Sequence, residues 1–169
     1  MRRALKHAER AAGEGEVPVG CVIVREGKVV GWGRNRREGR KNALAHAEIE
    51  AISRACRKLG GWRLPGCTLY VTLEPCPMCA GAIVNARIER VCFGAPDPKA
   101  GACGSVFTLF SYPLNHRPDW TGGICREACA RQLQDFFRAL REKKRAQKRQ
   151  MGSDPGPSGQ THRGPAADR

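Results

Sequence analysis

Apolar positions Ala4, Leu5, Ala8, Ala11 and Ala12 recur at helical spacing among charged neighbours, and Gly13 and Gly15 punctuate their end; an amphipathic helix is predicted over residues 2–13. Two Val- and Ile-rich runs, 17–25 and 28–34, flank Glu26-Gly27, a pair suited to a tight reversal, which predicts a β-hairpin. From His46 to Leu59 the helical period returns through Ile49, Ile52, Ala55, Cys56 and Leu59, and Gly60-Gly61 stops the run, so a second helix starts near His46. Residues 67–73 read as a compact β-branched and aromatic strand and 75–86 as a helix of small and apolar residues. A short strand over 90–94 precedes a Gly- and Pro-rich loop over 95–104. Leu133, Phe136, Phe137 and Leu140 give a last helix its apolar face, while Arg138, Arg141, Lys143, Lys144, Arg145, Lys148 and Arg149 crowd its C-terminal half. Beyond Met151 no apolar pattern remains. The expected organisation is one domain over 1–149 and a disordered Gly/Pro-rich tail over 150–169, with no internal repeat.

The chain's 169 residues suffice for a core without disulfide support. Charge adds a second constraint. Thirty Lys and Arg against 16 Asp and Glu give +14, more than solubility asks of an enzyme of small metabolites, and this points to a polyanionic partner; a basic surface without a target is the plainer alternative. The nine cysteines are an odd number and several stand in apolar, strand-like runs, which favours buried thiols in a reducing cytosol over a disulfide scaffold. The charged N-terminus offers no apolar signal-peptide core and no uncharged run is long enough to span a bilayer, so a soluble, cytoplasmic protein is expected.

His46-Ala47-Glu48 and Pro75-Cys76-Pro77-Met78-Cys79 carry the chemistry. His46, Cys76 and Cys79 are three ligands of the kind zinc takes, leaving a fourth position for water and Glu48 as a carboxylate that need not bind metal. Cys76 and Cys79, three residues apart at a helix start, point to one side; Pro75 suits such a start, and the helix dipole favours thiolate. Zinc brings bound water to a pKa of about 7, which leaves Glu48 to move protons. H-x-E followed by P-C-x-x-C resembles the signature of zinc deaminases of nucleobases, and the match is complete. By that resemblance Glu48 takes a proton from the water, hydroxide adds to the amidine carbon of the base, and Glu48 passes protons to the ring nitrogen and the departing ammonia. The alternative is a closed structural zinc site, with a fourth ligand from Cys67, Cys103, His116 or the Cys125/Cys129 pair; such a site has no use for Glu48. His7, His116 and His162 have no comparable context.

Over residues 1–149 the chain resembles a family, the bacterial tRNA adenosine deaminases, which convert the wobble adenosine of an anticodon (position 34) to inosine. The stretches 16–20 (EVPVG), 33–36 (GRNR), 45–49 (AHAEI) and 69–82 (LYVTLEPCPMCAGA) are shared broadly among nucleoside and nucleobase deaminases. Those at 93–101 (FGAPDPKAG), 114–116 (LNH) and 136–138 (FFR) look like the tRNA branch. The resemblance implies a three-layer α/β/α cytidine deaminase-like fold with a mixed five-stranded sheet and the catalytic helices on one face. It also implies one zinc ion per subunit and a homodimer whose interface helps shape the RNA site. Asn35 would hydrogen-bond the flipped base, Asp97 and Lys99 would sit in the loop that receives the anticodon, and Arg138 with its basic neighbours would meet RNA phosphates. Plainer roles are a hairpin-end cap for Asn35 and a solvated helix end for the basic run. Three departures stand out: a later N-terminus than usual, Ala43-Leu44 where the family commonly has Pro-Thr, and the extra tail. None touches a ligand, and only Leu44 bears on pocket detail.

Rival readings share part of this pattern. A deaminase of free guanine or cytosine needs the same metal site but no cationic terminal helix. A non-catalytic RNA-binding zinc module would close the metal with a fourth ligand and could dispense with Glu48. A deaminase of other RNAs or of single-stranded DNA needs only a strand that can splay out a base.

Overall fold

Residues 1–151 are described by a computed structural model of the chain. Helix α1 (Arg2–Gly13) buries Ala4, Ala8 and Ala11, the expected apolar stripe. Strands β1 (Gly20–Arg25) and β2 (Lys28–Arg34) pair antiparallel around Glu26 and Gly27, both at positive φ (50° and 74°), the conformation that lets a two-residue turn follow the twist of its strands. Strand β1 starts at Gly20 and not at Val17 as the hydropathy pattern predicts, because Pro18 lacks an N–H for a ladder and the Val19 N–H turns back to the Val17 carbonyl. A single-turn helix, α2 (Arg37–Arg40), then leads into α3 (Ala47–Leu59), which Gly60 ends in the left-handed conformation. Strand β3 (Cys67–Leu73), helix α4 (Pro77–Asn85) and strand β4 (Arg90–Ala95) follow as predicted. After the long loop come a 3₁₀ turn (Leu109–Ser111), strand β5 (Asp119–Thr121) and helix α5 (Arg126–Met151).

The sheet runs β2-β1-β3-β4-β5, with β1 antiparallel to both neighbours and β3, β4 and β5 mutually parallel. Close approach at three glycines decides which helix lies on which face. A Cβ on Gly20 would fall 2.1 Å from the Ala4 carbonyl oxygen of α1; one on Gly31 or Gly33 would fall 2.3 or 2.0 Å from the carbonyl oxygens of Ala51 or Ala47 on α3. Gly20 pairs with Arg34 and Cys21 with Gly33, so the alternation of side chains puts α1 and α3 on opposite faces. Helix α4 packs beside α3, and the first part of α5 joins α1 through the Gln132 side-chain amide, which donates to the Leu5 carbonyl at 3.3 Å. The result is the three-layer arrangement of a mixed five-stranded sheet. Its core includes Ile23, Leu69, Val71, Ile83 and Val91, all fully buried.

Met1–Phe136 forms one compact unit, and a second unit begins at Phe137, inside α5. In that second unit Phe137 and Leu140, expected on an apolar face, are exposed. Gln150 and Met151 still belong to α5; the rest of the tail expected over 150–169 lies outside the described residues. All nine cysteines are free thiols; Cys21, Cys67, Cys92, Cys103 and Cys129 are buried as expected of core residues, whereas Cys56 is half-buried and Cys125, just before α5, is exposed. No helix among the described residues is long and apolar enough to cross a membrane.

Candidate active site and metal centre

Two helix starts converge on one point. His46 is the N-cap of α3 and Cys76 the N-cap of α4; Cys79 stands three residues further, inside the first turn. Pro77, and not Pro75, takes the first helical position of α4, where the N–H that proline lacks has no partner in any case. The His46 Nδ1 atom lies 3.7 Å from the Cys76 sulfur and 3.5 Å from the Cys79 sulfur. Ligands at ordinary zinc bond lengths and tetrahedral angles put nitrogen and sulfur about 3.5 Å apart, so these three groups fit one ion without rearrangement. They are the one group of three such ligands among the described residues. None of the expected alternatives for a fourth ligand, Cys67, Cys103, His116, Cys125 or Cys129, belongs to this group; His116 meets the Ile88 carbonyl through Nε2, Cys67 sits in β3, and the Cys129 sulfur packs where a Gly94 Cβ would be. A closed structural site is therefore not built here, and one coordination position is left to a small molecule.

Hydrogen bonding and burial shift all four groups from their ordinary values. A hydrogen bond from Cys79 brings the Cys76 thiol down to about 4 against the opposition of burial, with further help from His46. The Cys79 thiol is raised, by its hydrogen bond with Cys76 and by burial. His46 is raised, first by its hydrogen bond to Cys76. Glu48, in the first turn of α3 and 3% exposed, is pushed up to about 7 by burial, where a carboxyl group exchanges protons readily near neutral pH. A dication held by its neighbours favours the charged carboxylate and draws that value down.

These groups open into a cleft of about 190 Å³, room for one splayed-out base. Its lining includes His46, Glu48 and Cys76 together with Asn35, Arg37 and Asp97. Asn35 is buried just after β2 and lines the cleft; its side-chain amide donates to the Glu16 carboxylate at 3.2 Å. Asp97 holds its own loop: its Oδ1 accepts the N–H groups of Lys99 (2.9 Å) and Ala100 (3.2 Å). Lys99 itself is exposed and does not line the cleft. Arg138 is exposed on α5, within the separate unit that begins at Phe137. Leu44 is 58% exposed and belongs to a different surface depression, so the Ala43-Leu44 departure lies outside the cleft lining.

Two buried carboxylates and one cation carry no role in the motif pattern. Glu74 accepts the backbone N–H groups of Asp97 (3.0 Å), Cys103 (2.9 Å) and Ser105 (3.0 Å) and the Ser105 hydroxyl, so the cleft-side loop is assembled on it. Burial opposes its charge, but these hydrogen bonds prevail and its pKa is lowered. Glu16 accepts the Asn35 side-chain amide and the backbone N–H groups of Glu38 and Gly39, and Arg37 adds a positive charge to the cleft lining. An acidic residue inside an otherwise apolar stretch, as in Glu16-Val17-Pro18-Val19 and Leu73-Glu74-Pro75, is the signal by which both could have been found.

The MafB19-like deaminase family matches residues 1–141. A tRNA-specific adenosine deaminase of Bacillus subtilis (strain 168) is 47% identical over 152 residues, 89% of this chain and 94% of that protein. A solved structure from work on A-to-I editing by tRNA:A34 deaminases at the wobble position of transfer RNA is also 47% identical, with a TM-score of 0.76, and the match covers 79% of this chain and 97% of that one. The guanine deaminase structure from Bacillus subtilis is 32% identical with a TM-score of 0.56, over 83% of this chain and 90% of that one. At 32% against 47% identity the guanine enzyme marks a more distant branch of one fold, and the chain belongs to the tRNA-specific adenosine deaminase family.

Proposed function

We propose that this protein deaminates the wobble adenosine of a transfer-RNA anticodon to inosine, with zinc held by His46, Cys76 and Cys79 and with Glu48 as the proton carrier. The observation that carries the reading is the open three-ligand cluster with a buried carboxylate two residues from its histidine, at the base of a one-base cleft. Zinc in that site supplies a water acidic enough to attack near neutral pH. Glu48 takes one proton of the attacking water and delivers it to the ring nitrogen beside the amino-bearing carbon; it then takes the second proton, from the hydroxyl now attached to that carbon, and passes it to the amino group as the carbonyl forms and ammonia leaves. One water is consumed, one carbon–nitrogen bond breaks and ammonia departs. Asn35 holds the edge of the base, which an amide does in either donor or acceptor sense. Asp97 shapes the loop over the cleft, and Lys99 and Arg138 contribute positive charge for RNA phosphates, in keeping with the chain's +14.

The reading extends to a homodimer, as the family resemblance implies; the exposed Val106, Phe107, Tyr112 and Leu114 are apolar surface for such a contact. It also places the protein in the cytoplasm, with transfer RNA. The test is inosine formation in an anticodon stem-loop with adenosine at the wobble position, beside free adenosine, cytidine and guanine and a Glu48→Ala control. Inosine in the RNA alone supports the proposal. Turnover of a free base with none in the stem-loop keeps the zinc chemistry and moves the protein to the free-base branch.

A further inference from the structure

The described mechanism leaves one fully buried carboxylate at the cleft unused. Glu16 is 2% exposed and has no cationic partner in the hydrogen bonds it makes. Its Oε2 accepts from the Asn35 side-chain amide nitrogen at 3.2 Å and from the Glu38 N–H at 3.2 Å, and its Oε1 accepts from the Gly39 N–H at 2.7 Å. The last two donors belong to the first turn of α2, so one carboxylate caps that turn and grips Asn35 together. A buried charge without a counter-ion persists only where several donors replace its water, and these three do so.

The chemistry of the contact also fixes a direction. A carboxylate accepts and cannot donate, so the nitrogen end of the Asn35 amide must face Glu16. The Asn35 carbonyl oxygen, with one remaining N–H, is then what stays available to a ligand in the cleft that Asn35 lines. The Asn35 backbone N–H, bound to the Val19 carbonyl at 3.0 Å, anchors the residue from its other side. Without Glu16 an amide is free to turn over and present its ends in the opposite order.

We infer that Glu16 is a positioning residue for base recognition: it sets which end of the Asn35 amide meets the base, an inference that rests on Asn35 being the residue that reads the base. The test is an exchange of donor and acceptor, measured as kcat/KM for inosine formation in the wobble-adenosine stem-loop. Asn35→Asp sets two carboxylates against each other, and a loss of about 100-fold or more is expected. Glu16→Gln keeps the size of the side chain but leaves at least one α2 N–H facing a donor, with an expected loss of about tenfold. In Asn35→Asp combined with Glu16→Gln, the glutamine amide donates to the aspartate, whose other oxygen takes the place of the Asn35 carbonyl. The combined variant should recover at least about tenfold over Asn35→Asp alone. A purely structural Glu16 predicts no rescue, and a combined variant at or below Asn35→Asp overturns the inference. Thermal melting and bound zinc are recorded for each variant, so that a collapsed fold is not read as lost activity. A second measurement stands apart from turnover and from any variant's folding: exchange of the two Asn35 side-chain protons in the wild-type protein by NMR. One slow and one fast proton supports the pairing, and two fast ones refute it. If the wild type makes no inosine while this pattern holds, the substrate reading fails and the Glu16–Asn35 pairing survives it.

Discussion

Gly33→Ala tests how tightly the sheet fixes the catalytic helix. The added Cβ would sit 2.0 Å from the Ala47 carbonyl oxygen, 2.8 Å from the Ala51 nitrogen and 2.9 Å from the Glu50 Cβ, and two of these atoms are helix backbone that cannot rotate away. An ordinary carbon–oxygen contact is about 3.3 Å, so the start of α3 must retreat by about 1.3 Å. Ala47 lies between His46 and Glu48, and both move with it. Zinc sites tolerate about 0.2 Å in ligand distance, and misplacement by about 1 Å costs on the order of 100-fold in rate. Overpacking of this kind costs about 1–3 kcal/mol, which in a chain of this length lowers Tm by about 3–10 °C. The expected result is a folded protein with a lower Tm, weakened zinc retention on dialysis and kcat/KM reduced by about 100-fold. Gly61→Ala, where an added Cβ meets nothing within 4 Å, is the matched control and should stay within about 0.5 kcal/mol of wild type. A Gly33→Ala protein with full zinc and unchanged turnover would falsify the argument that this contact seats the metal histidine.

Glu48→Ala should keep its zinc by elemental analysis and lose turnover by at least about 100-fold, the lower range for a lost proton carrier; substantial residual activity refutes the role given to Glu48. In the metal-free protein the raised Glu48 pKa makes a stability contribution that is whole below the ordinary value of 4.5 and lost as pH rises through about 7. Metal-free Glu48→Gln should therefore lack that loss in urea melts taken from pH 5 to pH 8. Glu74 has the opposite sign: its pKa is lowered, so its contribution is whole above 4.5 and lost as pH falls through the lowered value. Glu74→Gln should flatten the acid limb of stability, and amide exchange at Asp97, Cys103 and Ser105 should quicken; unchanged exchange there would contradict the assembly of the loop on Glu74. Truncation after Arg138 removes Arg141, Lys143, Lys144, Arg145, Lys148 and Arg149 and should weaken stem-loop binding with a shallower salt slope, by about 0.7–0.9 for each phosphate no longer neutralised. An unchanged slope removes the phosphate role of that helix.

What could be read without coordinates follows from what repeats or reacts. Helix α1 shows itself in the spacing of Ala and Leu, α3 in Ile, Ala and Leu, α5 in Leu and Phe, the β1–β2 hairpin in Val and Ile around Glu26-Gly27, and the candidate metal ligands in the reactivity of His and Cys at fixed spacing. Strand β5 is three exposed residues, Asp119–Thr121, with neither alternation nor burial, and exists because β4 offers an open parallel edge at Arg90–Cys92. Helix α2 is a single turn, too short for any period, and is held by the Glu16 carboxylate twenty-two residues away at Glu38. Such long-range hydrogen bonds leave no local trace, which is why Glu16 and Glu74 stand in recognisable motifs but reveal their tasks only when the folded chain brings the loops to them. Lys99 shows the converse limit: its neighbour Asp97 reaches the cleft wall, while the lysine two residues on faces away.

His46 and Cys76 are separated by thirty residues, and their juxtaposition depends on the pairing of β3 with β1 and on the seating of α3 against the sheet. No short stretch of chain can therefore trap an ion early, in contrast to a zinc finger, whose fold waits for its metal. The buried cluster of Ile23, Leu69, Val71 and Ile83 closes without any of the three ligands. The site proposed for zinc is thus assembled by the fold and not by its metal, so that zinc supply would govern how much of the folded protein is active rather than how much of it folds.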